Sequence, residues 1–83
     1  MYKLFILKYM EKLTKDDISK YALSQDTPLN DNELDLIYAY IKKYPKRILN
    51  EPLEVLEEIK DDLNTDVYYK LLELYDKYKD KIS

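Results

Sequence analysis

Leu29-Asn30-Asp31-Asn32-Glu33-Leu34 and, earlier in the chain, Leu13-Thr14-Lys15-Asp16-Asp17-Ile18 are two versions of one helix-start device, and they decide the fold. Thr14 and Asn30 carry side-chain oxygens that accept from the unpaired N–H groups at a helix start. Asp17 and Glu33 stand at the third helical position, where a carboxylate reaches back to the N–H of the cap residue. Leu13 with Ile18, and Leu29 with Leu34, occupy the two positions of a hydrophobic staple, one before the cap and one in the second turn.

From these two starts the rest of the chain divides readily. Asn50-Glu51-Pro52 opens another helix, with proline tolerated in the first turn, where its missing N–H is not needed. Asn64-Thr65-Asp66 opens the last. Pro45 ends a helix near Tyr44, because the residue before proline avoids the α conformation. Gln25-Asp26-Thr27-Pro28 separates two helices. The expected helices are 2–12, 15–24, 31–44, 51–62 and 66–81. No segment alternates as a strand does, and Ile48-Leu49 reads as an extended apolar pair tucked into the core. The fold class is all-α: a compact single-domain bundle of about five short helices, without a sheet, spanning residues 1–83.

Each helix has an expected inward face at helical spacing. These are Tyr2, Phe5, Ile6, Tyr9, Met10 and Leu13; then Ile18, Tyr21 and Ala22; then Leu34, Ile37, Tyr38 and Ile41. Leu56, Ile59 and Leu63 follow, and last Val67, Leu71, Leu74, Tyr75, Tyr78 and Ile82.

Composition narrows the chemistry. The 83 residues include no His, no Cys, no Gly and no Trp, alongside 10 Tyr. The ordinary nucleophile–base pairs, thiolate chemistry and the usual zinc ligands are therefore missing. So are phosphate-cradling glycine loops. No cofactor, metal site or small-molecule ligand is expected, and binding rather than catalysis is the expected role. The tyrosine excess accompanies abundant Lys, Ile, Asn and Asp, as in a chain from an AT-rich genome. Tyrosine also packs like Phe at the edge of a small core. The net charge of −3 is the wrong sign for a general nucleic-acid binder. Leu4-Phe5-Ile6-Leu7 is too short for a signal core or a membrane span. A cytoplasmic setting is the expectation.

Residues 13–22, Leu-Thr-Lys-Asp-Asp-Ile-Ser-Lys-Tyr-Ala, resemble the YqfT-like domain of unknown function found in Firmicutes. That family is similar in length, in its leucine-threonine-x-acid helix start and in its Lys-Tyr-Ala ending. Its later layout of polar loop, helix, basic turn and two more helices is also similar. The resemblance implies a small helical fold in a bacterial cytosol and carries no activity.

Three features are candidates for function. The first is apolar surface left over once the inward faces are assigned: Leu4 and Leu7 together, and Leu36 with Tyr40 as a second patch. Either the first and third helices are central and apolar on two sides, or these residues contact another protein or a second copy of the chain. A membrane-surface helix with Lys3, Lys8 and Lys12 beneath Phe5 and Tyr9 is a third possibility. The second feature is the basic turn Lys42, Lys43, Tyr44, Lys46 and Arg47, where an interleaved aromatic would suit nucleic acid. Its structural alternative has Lys42 and Lys43 closing a helix C-terminus, and Lys46 and Arg47 pairing with the acidic helix that follows. A helix-turn-helix reading would bring Asp31, Glu33 and Asp35 against phosphates. The third is the acidic face Glu51, Glu54, Glu57, Glu58, Asp61 and Asp62, which reads as solvated, with docking of a basic partner or a weak Mg²⁺ or Ca²⁺ site as alternatives. The leading reading is a non-enzymatic protein–protein interaction module. The other is a nucleic-acid-associated accessory protein acting through the basic turn.

Overall fold

Both helix-start devices form. Thr14 Oγ1 accepts from the Asp17 N–H and Asp17 Oδ2 accepts from the Thr14 N–H, each at 3.1 Å. Asn30 Oδ1 accepts from the Glu33 N–H at 2.8 Å, and Glu33 Oε1 accepts from the Asn30 N–H at 3.1 Å. The computed structural model describes residues 2–82, with side chains from 4 to 80. The side chains of Tyr2, Lys3 and Ile82, counted above among the expected faces, lie outside the described residues. The elements are α1 (Tyr2–Lys12), α2 (Lys15–Ser24), α3 (Asp31–Lys43), α4 (Pro45–Asn50), α5 (Pro52–Ile59), a 3₁₀ turn (Lys60–Asp62) and α6 (Thr65–Ile82). No strand occurs among the described residues.

The structure differs from the sequence expectation in two places. Residues 45–50 form a helix, so Ile48 and Leu49 are helical rather than extended, although Leu49 is buried as expected. The expected helix 51–62 ends at Ile59 and tightens into the 3₁₀ turn. Pro45 and Pro52 each stop one helix and start the next. The residues before them, Tyr44 (φ −128°, ψ 45°) and Glu51 (φ −136°, ψ 52°), leave the α region in nearly the same way. Each proline then occupies the first helical position. The hydrogen-bond ladder is scarcely interrupted: Tyr44 N–H donates to Tyr40 O at 2.8 Å and Glu51 N–H to Arg47 O at 2.7 Å. α3, α4 and α5 are thus one helical path kinked twice.

The end of α2 shows how a chain without glycine makes a left-handed turn. Asp26 N–H donates to Leu23 O and Thr27 N–H donates to Ala22 O, both at 3.0 Å, which is the paired bonding of a Schellman motif. The left-handed residue that the motif needs is Asp26, at φ 56°. Aspartate tolerates this region better than most residues, though less well than glycine.

The core lies where α5, the 3₁₀ turn and α6 meet α3. Leu56, Ile59, Leu63 and Val67 are buried together, and Leu29, Leu36, Ile37 and Tyr40 pack against them. Met10 and Leu49 are buried in α1 and α4, which touch each other. α2 contributes no buried residue and lies against α3. The radius of gyration, 12.0 Å, is that of a close-packed chain, for which about 12 Å is expected at this length.

The most deeply buried side chain is charged. Glu33 is 1% exposed. Besides closing the cap of α3 with Oε1, it accepts from the Asn64 N–H through Oε2 at 2.7 Å. Asn64 directly precedes α6, so one carboxylate ties the starts of two helices together, at the positive end of both dipoles. Of the three acidic residues that count against a helix-turn-helix reading, Asp31 and Asp35 are exposed and Glu33 is buried.

Two predictions follow from these termini. Glu33→Ala leaves two N–H groups without acceptors and lowers unfolding free energy by about 3 kcal/mol. Glu33→Gln costs about 2 kcal/mol, because an amide turns a donor toward one of the two N–H groups. Urea denaturation checks both, and an alanine variant with an unchanged midpoint would refute this role. Asp26→Gly, by contrast, relieves the left-handed residue and raises stability by about 0.5–1 kcal/mol in the same assay, while Asp26→Ala does not.

Candidate interaction surface

α1 is rotated from the orientation its sequence stripe implies. Met10 is buried and Ile6, Leu7 and Leu13 are half-buried, whereas Phe5 is 71% exposed and Tyr9 65% exposed. Phe5 and Tyr9, expected in the core, are therefore corrected to the surface. Of the expected contact pair, Leu4 is exposed at 65% and Leu7 is half-buried.

Tyr9 stands at the edge of an apolar groove of about 320 Å³. α1 supplies Tyr9 and Leu13, α2 supplies Ile18, Tyr21 and Ala22, and α6 supplies Val67, Leu71 and Leu74, with Ile37 and Ile41 of α3 between them. Asp17, Gln25, Thr27 and Lys70 provide the polar groups of its lining. The groove exists because the apolar faces of α2 and α6 look toward each other across α3 without closing. Tyr21, on the expected inward face of α2, is 49% exposed at its margin.

The second expected patch is placed differently. Leu36 and Tyr40 are half-buried and pack with Ile37 against the core cluster of α5 and α6, while Ile37 and Ile41 also line the groove and Leu34 is half-buried. α3 is thus the central helix, apolar on two sides, which accounts for its surplus of apolar residues. Tyr69 of α6 is 61% exposed, opposite the stripe as its spacing implies.

The basic turn is largely engaged within the molecule. Lys42 Nζ donates to Met10 O at 3.0 Å and Glu11 O at 2.7 Å, closing the C-terminal turn of α1. It also lies 5.5 Å from the centre of the Tyr38 ring, over which Lys15 sits at 5.6 Å. Lys43 and Arg47 each lie 5.6 Å from the Tyr44 ring. Arg47 grips Glu58 with both terminal nitrogens, the Nη1–Oε1 bond at 3.2 Å, and reaches Glu51 through Nε at 3.5 Å. Tyr40 donates its hydroxyl to Glu58 Oε1 at 3.3 Å. Lys46 is exposed. The turn and the acidic face are joined through Arg47 and Glu58, as the structural alternative expects of Arg47. Glu54, Glu57, Asp61 and Asp62 remain exposed.

The ion pair moves both partners. The hydrogen bond from Arg47 holds the Glu58 carboxyl below its ordinary range, against desolvation that acts the other way. The same bond pushes the Arg47 guanidinium further up. Desolvation, and then the neighbouring Glu58 charge, pushes the Tyr40 phenol up.

No group of three or more acidic side chains among the described residues is placed to hold a metal ion. No helix among them is long and apolar enough to cross a membrane. Comparison with models of known families, with curated proteins and with solved structures finds no match.

The Glu58 shift gives a pH test. A carboxylate whose folded pKa is depressed contributes stability that is present above its unfolded pKa and lost as pH falls through the folded value. Arg47→Gln removes that contribution. The urea midpoints of wild type and Arg47→Gln should differ at neutral pH and converge once pH falls below the carboxylate range. A difference that persists undiminished into acid would show that Arg47 acts by packing alone.

Proposed function

We propose that this chain is a non-enzymatic interaction module that binds through the groove between α1, α2 and α6. The observation that supports this reading is the groove with the exposed rings of Tyr9 and Tyr21 in its lining, and exposed Phe5 one turn before Tyr9 on α1. Scattered exposed apolar residues need no explanation. An apolar trough flanked by exposed aromatic rings and rimmed by polar groups is the composition of a docking surface, where tyrosine and phenylalanine supply area at low entropic cost. Partner recognition of this kind needs neither the nucleophiles nor the glycine loops that the chain lacks. The resemblance to the YqfT-like proteins fits a small bacterial cytosolic module and adds no mechanism.

The basic turn supports nucleic-acid binding less well, because Lys42 and Arg47 are held by carbonyls and carboxylates of the same molecule. That reading would require salt-sensitive retention on DNA or RNA, lost when the exposed Lys43 and Lys46 become Gln.

Selection from a random-peptide display library on immobilised protein tests the interaction reading. The Phe5→Asp variant, which keeps the groove lining intact, serves as bait. Enriched peptides should carry aromatic or leucine side chains at helical spacing, and Tyr21→Asp should weaken their binding about tenfold or more. No enrichment, or peptides indifferent to Tyr21→Asp, would refute the reading.

A further inference from the structure

We infer that the occupant of the groove is a second copy of this chain, related by a twofold axis, with the Phe5–Tyr9 ridge of each copy seated in the groove of the other. The inference rests on the interaction reading above and names its partner.

Ridge and groove share one face. Phe5 and Tyr9 are one helical turn apart on α1, 71% and 65% exposed, and Tyr9 is itself part of the groove wall. A face that carries both a projection and a matching hollow is complementary to itself under a twofold rotation. Such a contact closes at two copies and leaves no second surface to extend a chain of molecules.

The volume agrees with this, and the aromatic rings supply roughly half to three-quarters of the area a stable pair needs. The groove, at about 320 Å³, is roughly twice the ~150 Å³ that accommodates one benzene, so it has room for the two rings that a ridge presents. An aromatic side chain buries about 150–250 Å² when covered. At the exposures of Phe5, Tyr9 and Tyr21, each copy then offers roughly 300–450 Å² of uncovered aromatic surface. The pair would cover roughly 600–900 Å² from these rings alone. Groove walls and neighbouring side chains add to this, against about 1,200 Å² at the lower bound for stable interfaces.

Sedimentation equilibrium on the full chain over a wide concentration range tests the proposal. Wild type should reach the mass of a dimer. Phe5→Asp on the ridge and Tyr21→Asp in the groove should each weaken association about tenfold or more with unchanged far-ultraviolet circular dichroism, since both sites are exposed. Phe5→Ser is the milder ridge variant should the aspartate perturb folding. Mixing the ridge variant with the groove variant should restore partial association, because one of the two ridge–groove contacts is then intact. A monomer at every concentration would overturn the inference, as would a dimer indifferent to both variants or a mixture that associates no better than its components. A monomer that still selects helical peptides dependent on Tyr21 would leave the interaction reading standing and transfer the groove to another protein.

Discussion

The carboxylate of Glu33 holds the start of α3 against the start of α6, and the placement of the core follows from that contact. Its two oxygens accept from N–H groups that would otherwise be unpaired, at the caps of helices far apart in sequence. Burying a charge without a cation is ordinarily costly. Here two helix N-termini take the place of the cation, with two hydrogen bonds and two aligned dipoles directed at one group. Once α6 is pinned to α3 at this point, Leu63 and Val67 on either side of Asn64 are brought beside Leu56, Ile59 and Ile37, and the main cluster assembles around the pin.

The absence of glycine shapes the remaining turns. A helix that must reverse direction needs a left-handed residue, and Asp26 takes that role at the end of α2. Elsewhere the chain avoids left-handed geometry by using proline. Tyr44-Pro45 and Glu51-Pro52 bend the helical path without leaving carbonyls far from donors, and after the second bend Leu56 and Ile59 of α5 join the cluster on which Leu36, Ile37 and Tyr40 of α3 pack. The same bends place Arg47 between Glu51 and Glu58, so one guanidinium braces the joint between α4 and α5 from outside while Tyr40 reaches in from α3.

How much of this could be read from the residues differed with the kind of interaction. Local chemistry was legible: both capping boxes, the start at Pro52 and the ends of α1 and α2 follow from side chains within a few positions of one another. α4 was not, because six residues are too few for periodicity and Pro45 was read only as a stop. The second hydrogen bond of Glu33 was out of reach, since Asn64 is distant in sequence and nothing in either segment marks the pair. The face of α1 was misread for a different reason. Apolar residues cover most of its circumference, so their spacing does not choose a direction. Its charges do: Lys8 and Lys12 point outward, and Met10 lies roughly 160–200° around the helix from both. Met10 is indeed the buried residue, flanked by Ile6 and Leu7. The groove was illegible because it is a relation between α1, α2 and α6 and not a property of any one of them.

The groove is open for a reason found in how α1 and α2 are attached. α2 has no fully buried side chain; its cap and Schellman turn fix its own two ends, and Lys15 is bound to Asp35 of α3 at 2.7 Å. α1 is anchored by Met10 and by Lys42 donating to its last carbonyls. Polar attachments of this kind fix where a helix ends without drawing its flank onto a neighbour. The apolar flanks of α1, α2 and α6 are thus held at a separation that their own side chains do not fill. In a chain with so small a core, leaving this surface uncovered forgoes stabilisation that closer packing would supply. A surface rigidly presented and incompletely buried gains most from an occupant, because binding then orders few of the groups it covers.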